Sequence, residues 1–130
     1  AFVLSAFELP PKDKAFQIER TLSFSGKAVV FETIWLRAEL FKGLTAERMS
    51  NYQGAMYALF ESEFGVRMIR AEERVRAVSA SPKLAAALTL PEHSPLLQAT
   101  RTSYSYKQQA VELRQAWYVT DEFYYWSELD

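Results

Sequence analysis

The chain contains no cysteine. That excludes a disulfide framework, a thiolate nucleophile and any cysteine-based zinc site, and it fits a cytoplasmic protein. Histidine occurs once, at His93, inside the proline-bounded loop Leu90–Pro95. A surface loop position outweighs a general-base role there, and one histidine with unclustered carboxylates offers no metal set. The four glycines, Gly26, Gly43, Gly54 and Gly65, are isolated, so no glycine-rich loop cradles phosphates. No serine stands in a nucleophile elbow. No apolar run approaches the ~18–20 residues of a membrane span, and the N-terminus lacks a basic-then-apolar signal pattern. Charge of one sign is also missing: Lys+Arg number 15 against Asp+Glu 16, net −1, with no long block of either. A clustered basic footprint for nucleic-acid phosphates is therefore lacking. No cofactor is implied. A start at Ala1 rather than Met points to a piece of something longer.

What is present is a core. Hydrophobic residues make up 49% and aromatics 15% of 130 residues, enough for one domain that buries about two thirds of its unfolded surface. The stretch Phe16–Leu36 reads as a β-hairpin around Ser25-Gly26. Phe16, Ile18, Leu22 and Phe24 share one parity with Arg20 among them; Val30, Ile34 and Leu36 share another with Glu32 among them. Strand side chains alternate faces, so each charge stands where an apolar residue is expected. A buried charge is costly unless paired. Either Arg20 and Glu32 pair with each other or with neighbours, or they line a polar pocket for a small ligand. Sharing a pocket requires one face of the hairpin. That calls for an odd connection such as Ser25-Gly26-Lys27, whereas a two-residue turn would put the two charges on opposite faces.

Around the hairpin, Phe2–Leu9 reads as a short strand ended by Pro10-Pro11, and a short helix follows Thr45 as N-cap. Gly54–Phe64 is the clearest helix, with Met56, Leu59, Phe60 and Phe64 at helical spacing and Gly65 as its stop. Val66–Ala80 alternates with period two: Ile69, Ala71, Val75 and Ala77, with Glu73 among them, face one way, and Arg70, Glu72, Arg74 and Arg76 make a solvated face. Its Glu/Arg content leaves a helix open. Ser81-Pro82 opens a short helix to about Leu88, Leu96–Tyr106 and Ala110–Tyr118 form a second hairpin, and an aromatic tail, Phe123–Trp126, closes the chain. Four or five strands in hairpins with central helices predict an α+β fold, a mainly antiparallel sheet with helices packed on it. In the last strand Val111, Leu113, Trp117 and Val119 share one parity and Glu112, Arg114, Ala116 and Tyr118 the other. The second set is either a solvated face or a group in which Glu112 and Tyr118 join Arg20 and Glu32 around one ligand.

The order of motifs carries a resemblance. Glu19-Arg20, Gly26, Val29 and Glu32 in the first hairpin precede Leu40-Phe41-Lys42-Gly43-Leu44, then Met56–Gly65 (MYALFESEFG), then Arg70–Ala77 (RAEERVRA). Leu90–Leu97 (LPEHSPLL) follows, and Val111-Glu112 with Trp117-Tyr118 closes the series. Over about Phe2 to Tyr125 this resembles the UTRA domain, the effector-sensing domain of HutC-type GntR transcription regulators. The resemblance implies a chorismate-lyase-like fold, a homodimer and a small-metabolite effector that alters DNA binding by an N-terminal winged helix-turn-helix, a domain these residues do not include. It implies no membrane partner and no catalysis. Position by position, Arg20 falls on the family's anion-contacting arginine, Glu32 on the acidic position of the next strand, and Tyr57 at the start of the pocket-capping helix. Glu112 and Tyr118 fall on polar contacts of the last strand. Leu22 replaces a second arginine, and Ala55 replaces a hydroxyl residue, of the members that sense phosphosugars. An anionic effector carrying a carboxylate is therefore favoured over a phosphate. The segment between Leu9 and Phe16 is short, and the closing motif is reduced to Val119–Phe123. A chorismate-lyase-like enzyme acting on a small anionic substrate, and a domain kept only for dimerisation, are the alternatives. The sheet's long strands and the tail Phe123–Trp126 are expected to be buried in a two-fold dimer.

Overall fold

Ser25 and Gly26 both adopt positive φ, 52° and 80°, the two-residue turn whose twist suits a hairpin. It joins β1 (Ala15–Phe24) to β2 (Lys27–Arg37). In this computed structural model residues 15–45, 47 and 56–126 are described. The expected strand Phe2–Leu9 and most of the helix expected after Thr45 lie outside them. The chain continues through α1 (Met56–Phe64), β3 (Arg70–Ser79), α2 (Pro82–Leu88), β4 (Pro95–Tyr104) and β5 (Ala110–Val119). The five strands form one antiparallel sheet in the order β1-β2-β5-β4-β3, the expected α+β class.

Local chemistry sets the element ends. Gly65 at φ 67° stops α1, its N–H donating to Glu61 O at 3.1 Å while Val66 N–H donates to Phe60 O at 3.0 Å. Ser81 caps α2, its hydroxyl accepting from Leu84 N–H at 3.3 Å with Pro82 in the first turn.

The chain divides into two compact units. One takes in Ala1–Ile18, Ile34–Glu73 and Arg101–Arg114. Its main core joins Ile34, Leu36, Phe41, Leu59, Phe60, Val66 and Val111, with Phe41 and Phe60 edge-to-face at 4.8 Å. Ala110 and Leu113 pack instead with Trp35 and Tyr104. Trp35 lies between Ile34 and Leu36, so these two clusters occupy opposite faces. Val111 and Leu113, two residues apart, thus face opposite ways, correcting the single parity expected of them. The alternation slips by one residue within Ala110–Leu113, as a bulge allows.

The other unit comprises Glu19–Thr33, Arg74–Thr100 and Gln115–Asp130. Its core gathers Phe31, Leu84, Ala85, Leu88, Leu96 and Val119 against α2. The tail is anchored by Phe123 against Phe24, ring centroids 6.0 Å apart, while Tyr124 and Trp126 stay exposed.

The strand expected over Val66–Ala80 is shorter, and its predicted one-sided burial is absent. Along β3 Val78 is half-buried and the other residues are largely exposed, although the Glu73 side chain, paired with Arg101, is only 23% exposed; β3 is an edge strand.

Candidate functional site

Within the second unit, Arg20 Nε donates to Glu32 Oε1 in an ion pair. The two side chains differ in environment: Glu32 is 4% exposed and Arg20 38%. The pair forms although the turn has two residues, so the expected link between turn length and face fails here. Half-burial of Phe16, Ile18 and Arg20, alternating with exposed Gln17 and Glu19, shows which parity of β1 faces inward. Glu19, on the outer parity, accepts from Lys83 Nζ at 2.8 Å. Tyr118 lies in the same unit, half-buried, its ring edge-to-face with Tyr125 at 5.7 Å.

The first unit holds the second buried carboxylate. Glu112 is fully buried; Ser103 Oγ donates to its Oε1 at 3.1 Å and Arg114 Nη2 to its Oε2 at 2.7 Å. A solvated face for Glu112 and Ala116 is thereby excluded, because both are buried, 0% and 2% exposed. Both carboxylate oxygens already accept, so Glu112 acts first on Arg114, whose side chain is 19% exposed. Sequence reasoning missed Ser103 and gave Arg114 no role. The available signal was the two-residue spacing of Glu112 and Arg114, which lets one strand pair its own charges. Arg37, also buried, donates from Nε to Ala110 O at 2.9 Å. Tyr57 lies in the first turn of α1, and its side chain falls outside the described residues.

The structure thus brings Arg20 to Glu32 and places Tyr118 in their unit, whereas Glu112 belongs to the other. His93 sits exposed in a turn at φ 69°. Among the described residues no group of three His, Cys, Asp or Glu side chains could hold a metal, and no helix is long and apolar enough to cross a membrane. Chemically, each buried carboxylate fixes one guanidinium, and a guanidinium fork matches carboxylate and phosphate groups.

Comparison with known proteins bears on what these arginines serve. The sequence model of the UTRA domain matches residues 1–124. The chain belongs to the UTRA domain family. A solved relative of this UTRA domain is the ligand-binding domain of a GntR-family transcriptional regulator from Bordetella bronchiseptica. It is 40% identical, with TM-score 0.92 over 99% of this chain and 80% of that one. The effector domain of PhnF from Mycobacterium smegmatis shares the fold, with TM-score 0.84 at 22% identity over 99% of this chain and 78% of that one. HTH-type transcriptional regulator Rv0792c of Mycobacterium tuberculosis is 45% identical over 49 residues, 38% of this chain. The chain spans only 18% of that regulator's length through this match. As a UTRA domain, the chain is of the kind found in GntR-family transcription regulators.

Proposed function

We propose that this UTRA domain is the effector-sensing and dimerising domain of a bacterial GntR/HutC-type regulator. It binds a small anionic metabolite and thereby controls DNA binding by an N-terminal winged helix-turn-helix of the parent protein. It carries out no catalysis and works in the cytoplasm. The observation that carries this reading is the Arg20–Glu32 pair: the Glu32 side chain is buried while the Arg20 side chain is 38% exposed. A cation so held meets an incoming anion with little further loss of side-chain freedom. Tyr118 supplies an aromatic wall with a hydroxyl in that unit. Tyr57 and Glu112 enter the proposal from the family pattern, Glu112 through its hold on Arg114. Leu22 and Ala55, which lack the donors of the phosphosugar-sensing pattern, favour a carboxylate effector.

Dimerisation is supported by β3, an edge strand exposed on both faces, and by the exposed Tyr124 and Trp126, features that association would cover. A two-fold dimer is expected by analytical ultracentrifugation at micromolar concentration, and a monomer there would remove that part of the proposal.

The decisive experiment uses the full-length regulator. Arg20→Ala should weaken binding of the effector, found by a thermal-shift screen of small carboxylates, by ~1.5–3 kcal/mol. Operator binding should persist and lose its response, because an effector acts only through differential affinity for two states. If Arg20→Ala and Glu32→Ala each unfold the domain instead, the pair is structural and the reading fails.

A further inference from the structure

A hollow of about 290 Å³ lies between the start of β3 and the β4–β5 connection, lined by Ile69, Arg70, Tyr104, Ser105, Tyr106 and Lys107. All six residues belong to one compact unit, and none is a position the family pattern gives to the effector. Its walls are held by backbone hydrogen bonds: Ile69 N–H donates to Tyr104 O at 2.8 Å, Ser105 N–H to Gln109 O at 2.9 Å and Gln109 N–H to Tyr106 O at 3.3 Å. Lys107 takes left-handed backbone, φ 59°, which a residue with its side chain adopts only when the surroundings impose it.

The lining chemistry is specific. The Arg70 guanidinium carbon sits 4.2 Å from the Tyr104 ring centroid, and Arg70 Nη1 donates to Glu72 Oε1 at 2.9 Å. One tyrosine face is thus covered by a pinned cation. Tyr106 is 60% exposed and Ile69 53%. Glu72 offsets part of the Arg70 charge, whereas Lys107 makes no ion pair among the described residues. Lys107 is therefore the dominant cation of the hollow.

We propose that this hollow is a second ligand site, for a small planar aromatic carboxylate. The ring stacks on Tyr106 beside Ile69, Lys107 Nζ and the Arg70 guanidinium attract the carboxylate, and Ser105 offers it a hydroxyl donor. A cavity of ~150 Å³ takes up benzene, so a hollow of about 290 Å³ has room for a single-ring acid such as benzoate. The proposal stands apart from the effector reading.

The test is an amide-resolved NMR titration of the 130-residue chain with sodium benzoate, and with benzamide as the uncharged match. Benzoate should give saturable shifts at residues 69–70 and 104–107, at high-micromolar to millimolar concentration. Tyr106→Ala and Lys107→Asn should each weaken it about tenfold, as should the change to benzamide. Asparagine tolerates left-handed backbone, so Lys107→Asn removes the charge with the turn retained. Arg20→Ala should leave the titration unchanged, which separates this site from the effector reading. Absence of saturable shifts at these amides, shifts centred on Arg20, or equal affinity for benzamide and in Lys107→Asn would each overturn the proposal.

Discussion

Glu112→Ala is the substitution whose cost follows most directly from the structure. Glu112 is fully buried, and its two oxygens accept from Ser103 Oγ at 3.1 Å and Arg114 Nη2 at 2.7 Å. Truncation leaves the Ser103 hydroxyl, in a residue 1% exposed, without this acceptor, at about 1 kcal/mol or more. It also strips the Arg114 guanidinium of a charge-assisted bond. Removing one partner of a buried ion pair typically costs ~3–5 kcal/mol. Arg114 keeps 19% exposure and can rehydrate in part, so the lower half of that range applies, about 3–4 kcal/mol. Glu112→Gln keeps the shape and one acceptor while losing the charge, and about half that loss is expected. Urea unfolding followed by circular dichroism reads the difference: with m of roughly 2 kcal/mol/M, the Ala midpoint should fall by about 1.5–2 M. Protomer concentration must be held fixed, because association of the folded state shifts the midpoint. A Glu112→Ala protein within about 1 kcal/mol of the parent would refute the claim that this carboxylate organises its surroundings.

Three further outcomes can be read in the same assay. Gly26→Ala should cost about 1 kcal/mol from the backbone alone, since φ is 80° and an added Cβ meets nothing within 4 Å; Gly26→Asn should recover part of it. Ser81→Ala, which removes the acceptor for Leu84 N–H, should cost about 1 kcal/mol and lower protection of the α2 amides in hydrogen exchange. Phe60→Ala should cost about 3–5 kcal/mol, because the ring is fully buried against Phe41 at 4.8 Å.

Much of the fold is legible because the strongest signals are local. The Ser25-Gly26 turn, the Gly65 stop and the Ser81-Pro82 cap are each set by a few adjacent residues, and all three lie where the pattern puts them. The errors arise where a face is decided by partners distant in sequence. Turn length predicts Arg20 and Glu32 on opposite faces, yet they bond. Val111 and Leu113 share a parity but pack in different clusters. Burial of Glu112 could not be told from solvation of a half-exposed strand, since that depends on which distant residues cover that face of β5. Ser103 leaves no signal at all in the sequence, being one serine among the alternating residues of β4.

The two buried carboxylates, each taken within its own unit, share a feature that bears on their purpose. Glu32 is 4% exposed and its arginine 38%; Glu112 is 0% exposed and its arginine 19%. In both pairs the acid is the more buried partner, and the arginine side chain keeps some contact with solvent although Arg114 Nε is itself buried. Stability alone gives little reason for this, because well-packed apolar residues commonly serve a buried position as well as an ion pair does. Nor does the exposed end contribute much, since ion pairs in contact with water are worth about 0–1 kcal/mol. What the arrangement does supply is an arginine held in place by a buried carboxylate while part of its side chain faces solvent. Fixing a long side chain in advance removes an entropy cost that a ligand would otherwise meet, about 0.5–1.5 kcal/mol for each immobilised side chain. A sheet that keeps such pairs is better suited to receiving an anion than to holding itself together. In a UTRA domain, the family to which this chain belongs, the effector site proposed above then makes Arg20 the position where effector response and stability should separate.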